Sequence, residues 1–255
     1  NLGVSLGQLM FTPEDTEAAD LVPDQRPYAG YLYAGIAYHT RSEDRLDVME
    51  LDLGIVGPSA LAHQTQDFIH ELRGFEKYNG WDNQLENEPG VQLLYERKHR
   101  LLATTWRGDF GQDFIAHGGA SLGHVATHLN FGGEYRIGWK LPDDFGTSAV
   151  RAGGDNSAPG RHEGRRRAPG WGNAGIHAFV ALDTRLVARD IFLDGNTFKE
   201  SHSVDKKPVV ADVYAGVALL IDRWKLSYAQ VLRSREFEGQ PHHHEYGSLS
   251  LSCSL

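Results

Sequence analysis

Hydrophobic and polar positions alternate along most of this chain. The clearest stretch runs from Val125 to Trp139, where Val125, Thr127, Leu129, Phe131, Gly133, Tyr135, Ile137 and Trp139 interleave with Ala126, His128, Asn130, Gly132, Glu134, Arg136 and Gly138. A period of two marks a β-strand with unlike faces. Here one face is apolar or aromatic and the other small, polar or charged, as in a wall between lipid and a wet lumen. The same division predicts strands at Tyr28 to Tyr38, Leu46 to Val56, Val91 to Leu101, Ile176 to Ala188, Val209 to Ile221, Trp224 to Leu232 and Gly247 to Leu255. The opening stretch Asn1 to Phe11 and a segment near Phe110 to Ser121 bring the total to about ten. All ten prolines fall outside the strand interiors, as pairing requires of a residue that cannot donate to a ladder. The predicted fold class is all-β: an antiparallel transmembrane β-barrel forming a single domain over residues 1–255. A soluble ligand-binding barrel is the rival, and it would turn the same apolar residues inward.

Two segments break the rhythm. Ser59 to Arg73 lacks Gly and Pro, follows Gly57-Pro58 and ends at Gly74, which is the punctuation of a short helix with a serine near its start. It is inserted after the third strand. Lys140 to Ala174 is long and rich in Gly and Pro, so it reads as a surface loop. Its Arg161, Arg165, Arg166 and Arg167 could meet phosphates at the outer rim.

Composition narrows the partners. Lys and Arg number 25 against 34 Asp and Glu, a formal net charge of -9, which argues against nucleic acid. The one cysteine, Cys253, forms no internal disulfide and alternates with Leu251 and Leu255 as a small apolar strand residue. No apolar run reaches the roughly 18 residues of a membrane-crossing helix. That leaves a barrel open, because barrel strands cross in about 9 to 11 residues with only alternate ones apolar. No basic and apolar leader precedes Asn1, so the expectation is a mature form or a fragment.

The candidate chemistry sits on the predicted helix. Gln66 and His70 stand four apart and share one face one turn apart, with His63 a turn further back. Their context is specific: Gly57-Pro58, Gln66, His70, Gly74, Glu76 and the run Gly80-Trp81-Asp82-Asn83-Gln84-Leu85-Glu86-Asn87-Glu88-Pro89-Gly90. Together with Gln25-Arg26-Pro27-Tyr28-Ala29-Gly30, Phe192-Leu193-Asp194-Gly195-Asn196-Thr197-Phe198 and Ser201-His202-Ser203-Val204-Asp205-Lys206-Lys207-Pro208, this ordered set resembles the lipid A 3-O-deacylase family of outer-membrane enzymes over nearly the whole chain.

The resemblance implies a twelve-stranded barrel in the outer membrane of a Gram-negative bacterium, working as a monomer on lipid A of lipopolysaccharide. It implies hydrolysis of an ester-linked acyloxyacyl chain, with calcium as cofactor. His70 would be the base that activates water, Gln66 its neighbour in the site, and Glu76 a carboxylate for calcium. Imidazole as a residue type titrates near neutral pH, and a hard cation bound by oxygens can stabilise an ester oxyanion, so the assignment is chemically coherent. The family pattern begins with two further strands, carrying an Asn-Asp pair and a Tyr-Thr-x-Gly, that are not found here. The expectation is therefore an N-terminally truncated piece whose calcium aspartate and site threonine lie upstream. A lysine expected in the first loop is also missing, since Thr12 to Pro23 contains none. A barrel of this fold without catalysis is the alternative. Among lesser candidates, His242-His243-His244 and the loop arginines read first as solvated loop, Asp194-Gly195-Asn196 as a turn, and Arg26 and Tyr28 as rim anchors.

Overall fold

The ten strands form in the predicted order and nearly at the predicted bounds. In the computed structural model, which describes residues 1–147 and 174–253, they are β1 (Leu2–Phe11), β2 (Ala29–Arg41), β3 (Arg45–Val56), β4 (Glu88–Thr105), β5 (Phe110–Gly123), β6 (Ala126–Trp139), β7 (Gly175–Asp190), β8 (Val209–Ile221), β9 (Trp224–Arg233) and β10 (His244–Cys253). Each pairs antiparallel with its sequence neighbours in one curled sheet, and among the described residues no ladder joins β1 to β10. Pro89 enters β4 as its second residue, opposite Ile55, so it interrupts no strand interior.

The alternation resolves into two faces of opposite chemistry. On β6, Leu129, Phe131 and Trp139 are exposed while Asn130, Glu134 and Arg136 are buried. On β3, Met49, Leu51 and Leu53 are exposed while Glu50 and Asp52 are buried. The apolar face is thus outward, the reverse of a soluble carrier, and it suits acyl chains. Exposed Tyr38, Trp106, Trp139 and Trp224 gather at one rim as an aromatic girdle.

The concave side is filled by charge. Fully buried Arg136 donates to Asp113 at 2.5 Å and to Asp144, and Lys225 reaches Asp144 at 2.7 Å and the Gly146 carbonyl at 2.8 Å. Glu134 accepts from the Thr147 amide at 3.1 Å and its hydroxyl at 2.8 Å. Residues 141–147 therefore fold back into the lumen as a plug, with each carboxylate paired, as buried charges require.

The two rims differ in their connections. One carries the short turns at 42–44, 106–109 and 222–223, together with the 140–174 connection. The other carries the longer segments 12–28, 57–87, 191–208 and 234–243. Outer-membrane barrels keep short turns inside and long loops outside, so the second rim is the outer one. The strand ends that flank the 140–174 segment, Trp139 and Gly175, lie on the opposite rim; Arg161, Arg165, Arg166 and Arg167, expected at the outer rim, lie outside the described residues.

Two predictions follow from these faces. Phe131→Arg should cost about 2 to 4 kcal/mol, the scale of a cation on the lipid face near mid-membrane. Urea titration of folding into vesicles measures it, and an unchanged midpoint would place Phe131 away from lipid. The second concerns Asp144. Burial, the largest influence, pushes its carboxyl up, but Lys225 and Arg136 more than offset this and hold it below the ordinary 3.8, at about 2. A lowered folded value gives stability that is full above the unfolded value and lost as pH falls through the folded one. The parent should exceed Asp144→Asn by about 2 kcal/mol near neutrality, and the advantage should disappear between about pH 4 and about pH 2. A pH-independent gap in parallel acid titrations would contradict this.

Candidate functional site

Helix α1 (Ala62–Arg73) stands on the outside of the wall, and three small residues explain how. Outward positions on β2 are the even ones, where Ala34, Ile36 and Tyr38 are exposed. Gly30 belongs to that set, yet it is buried: a Cβ there would lie 2.6 Å from Ala62 Cβ and 3.1 Å from Ala60 Cβ. Gln8, opposite Leu32 on the same face, donates to the Ala60 carbonyl at 2.6 Å. Close approach of Gly30, Ala60 and Ala62 thus seats the segment on the outer surface at the outer rim.

The helix begins differently from expectation. A 3-10 turn over Pro58–Ala60 is followed by Leu61 in the left-handed region at φ 59°, and only then by α1. Ser59 is not the cap; its amide donates to Asn87 Oδ1 at 2.8 Å. The end is as expected, with Gly74 at φ 68° and the Phe75 amide donating to the His70 carbonyl at 2.8 Å.

His70 and Gln66 share one face of α1, and each is fixed by the segment that returns to β4. His70 Nδ1 lies 2.5 Å from the Glu76 backbone carbonyl. A carbonyl can only accept, so Nδ1 is the nitrogen that donates, and in the neutral ring Nε2 is the one with the lone pair. The ring also meets Tyr78 edge-on at 4.8 Å and Phe75 at 5.8 Å. Gln66 Oε1 accepts from the Trp81 indole at 2.7 Å, which leaves its amide NH2 free to donate elsewhere.

Trp81 was quoted in the sequence motif without a role, and it proves to be the seat of the site. It is buried against Tyr28, ring centroids 5.0 Å apart, and stacks on His63 at 5.6 Å. The third sequence candidate behaves differently. Glu76 touches His70 through its backbone only, and its exposed carboxylate has no hydrogen bond or ion pair among the described residues. Also among the described residues, no group of three or more His, Cys, Asp or Glu is placed to hold a metal ion. Glu76 is thus a single available carboxylate, a hard donor of the kind calcium takes.

The remaining motif residues latch the outer rim. Asn196, read as part of a turn, donates to Glu88 at 3.0 Å and exchanges hydrogen bonds with the Glu86 backbone, both at 2.9 Å. The Thr197 amide adds a bond to Glu88 at 2.9 Å. Buried Arg26 pairs with Glu236 at 3.1 Å across the rim and lies 4.5 Å over Phe11, which fits its reading as an anchor.

Comparison with known proteins agrees with this architecture. Among solved structures, the fold is similar to a chain described as LpxR from Salmonella typhimurium, with a TM-score of 0.81 and 19% identity, covering 98% of this chain and 82% of that one. At that identity the likeness concerns the fold. No curated protein matches the chain. The family described as outer membrane protein LpxR matches residues 1–255. With its apolar face outward, its charged face inward and a family match along its whole length, the chain belongs to the LpxR family of outer membrane proteins.

Proposed function

We propose that this protein is an outer-membrane hydrolase that removes an ester-linked acyloxyacyl chain from lipid A, acting as a monomer with His70 as general base. The observation that carries the reading is the state of His70: a helix outside the wall holds its imidazole with Nδ1–H spent on the Glu76 carbonyl and Nε2 free to take a proton. Membership of the outer-membrane family gives the substrate its setting.

The chemistry is a water attack. Nε2 of His70 takes a proton from water as the oxygen bonds to the ester carbonyl carbon. The tetrahedral intermediate then expels the sugar alkoxide, and the imidazolium returns the proton to it. The products are the free acyloxyacyl acid and a sugar hydroxyl. Gln66, its oxygen engaged by Trp81, would donate from Nε2 to a substrate oxygen. Calcium, held by Glu76 with water and substrate oxygens, would supply positive charge for the ester oxyanion.

His70→Ala should leave the barrel folded, since its hydrogen bond and ring contacts run to Glu76, Phe75 and Tyr78 outside the strands, but reduce acyl release by roughly 10²-fold or more. The assay is mass analysis of lipid A after incubation in detergent, and release at the parent's rate would favour the non-catalytic barrel. Glu76→Ala should raise the calcium concentration needed for activity and weaken calcium binding measured directly by calorimetry. Unaltered binding would remove Glu76 from the metal site. Trp81→Ala should unseat α1 while sparing the ladders, a loss of about 3 to 5 kcal/mol confined to the inserted segment. Protease cutting within 57–87, with the barrel band intact on gels, is the expected result.

A further inference from the structure

Helix α1 has two unlike edges, and only one of them belongs to the site. Viewed down its axis, His63, Asp67 and His70 fall on one side and Phe68 and Leu72 on the opposite one, at the spacing of 3.6 residues per turn. The first side is covered by the returning segment: His63 stacks on Trp81, Asp67 pairs with Lys77 at 3.2 Å, and His70 meets Tyr78. That segment is tied to the outer rim, through the Leu85 amide to the Tyr28 carbonyl at 2.9 Å and the Asn79 amide to the Thr16 carbonyl at 3.1 Å. The edge carrying His70 therefore looks toward the rim.

The other edge looks the opposite way, down the outer wall. Phe68 is 67% exposed and Leu72 75% exposed, and Leu61, just before the helix, is exposed as well. Directly along the strands beneath α1, the outward positions Leu6 and Ile36 are 80% and 63% exposed. These belong to the apolar belt of the sheet, so the helix edge and the belt form one continuous apolar surface.

We propose that α1 is an interfacial helix whose Phe68–Leu72 edge is immersed in the acyl chains of the outer leaflet. Exposed aromatic and leucine side chains on one edge and Gln64, Asp67 and Glu71 elsewhere are the pattern of a helix lying in the membrane surface. A contiguous apolar surface of this kind is stable where lipid covers it and costly where water does. Immersion sets the depth of the whole unit: the apolar edge rests among acyl chains, and Gln66 and His70 stand above it at the level of headgroups and ester bonds. The inference is independent of hydrolysis and applies equally to a non-catalytic barrel.

The test is depth-resolved quenching on the full chain in a Cys253→Ser background. Phe68→Cys, Leu72→Cys and Glu71→Cys are labelled singly with bimane and reconstituted in phosphatidylcholine vesicles brominated along the acyl chain. Bromolipid should quench the labels at 68 and 72 at least about twofold more than the label at 71, and aqueous iodide should show the reverse order. Equal bromolipid quenching at 68 and 71 would overturn the proposal. So would shielding of position 68 from both quenchers, which would mean that protein, such as a second copy, covers this edge. Heat-modified gel mobility checks folding of each variant, and position 72 gives an independent reading should Phe68→Cys fail to fold.

Discussion

Everything in this molecule follows from the need to close backbone hydrogen bonds where no water can help. In hydrocarbon, each unpaired amide or carbonyl costs several kcal/mol, and the ten strands meet that demand ladder by ladder along one antiparallel sheet, except at the outer edges of β1 and β10, which no ladder joins among the described residues. The sheet then imposes a period of two on every side chain. Because lipid lies outside, the usual protein order inverts: Leu51, Phe131 and Leu182 face out, and Glu50, Arg136 and Asp183 face in. The lumen compensates with paired charge. Asp212 alone receives both Arg185, at 3.0 Å, and Arg233, at 2.7 Å, so removing either partner from such a set leaves an uncompensated buried charge.

That inversion creates a problem for any chemistry aimed at the surrounding lipid. Polar groups on the outward face are costly, and those in the lumen cannot reach a lipid outside. The inserted helix is a way around both. It lies over Gly30, where Ala60 and Ala62 can approach the wall closely, and it carries its own polar groups, with their partners, in the segment that follows. Gln66 is held by Trp81 and His70 by the Glu76 carbonyl. The rim latches serve the same end. Glu88, the first residue of β4, ends the returning segment and is clamped by Asn196 and Thr197 from the β7–β8 connection, so the site segment is held at both ends.

The fold was legible because it is written in local periodicity. All ten strands, the outward sense of the odd residues of β6 and the helix end at Gly74 are properties of a few neighbouring positions. What escaped depends on contacts distant in sequence. Ser59 looked like a cap until Asn87, 28 residues away, claimed its amide. Asp194-Gly195-Asn196 had the composition of a turn, and Gly195 does take a positive φ, but the Asn196 side chain is spent 108 residues upstream on Glu88. Residues 141–147 read as the start of a loop, and nothing local shows that Asp144 meets Lys225, 81 residues on. Within the site, Gln66 and His70 could be paired from helical spacing alone. Trp81 could not, since its role lies in joining that helix to Tyr28 on the wall.

The direction of the histidine follows from the same geometry. In the role proposed for it, His70 would keep one nitrogen free while the ring is held, and a side-chain carboxylate partner would bring a further charge to the outer wall. A backbone carbonyl fixes the Nδ1–H tautomer without one. The Glu76 carbonyl can do this because Gly74 reverses the chain just after α1 and brings residue 76 back under His70. The glycine that ends the helix thus also sets which nitrogen of the histidine is available, and the motif from Gln66 to Glu76 is one device in which helix, turn and tautomer depend on one another.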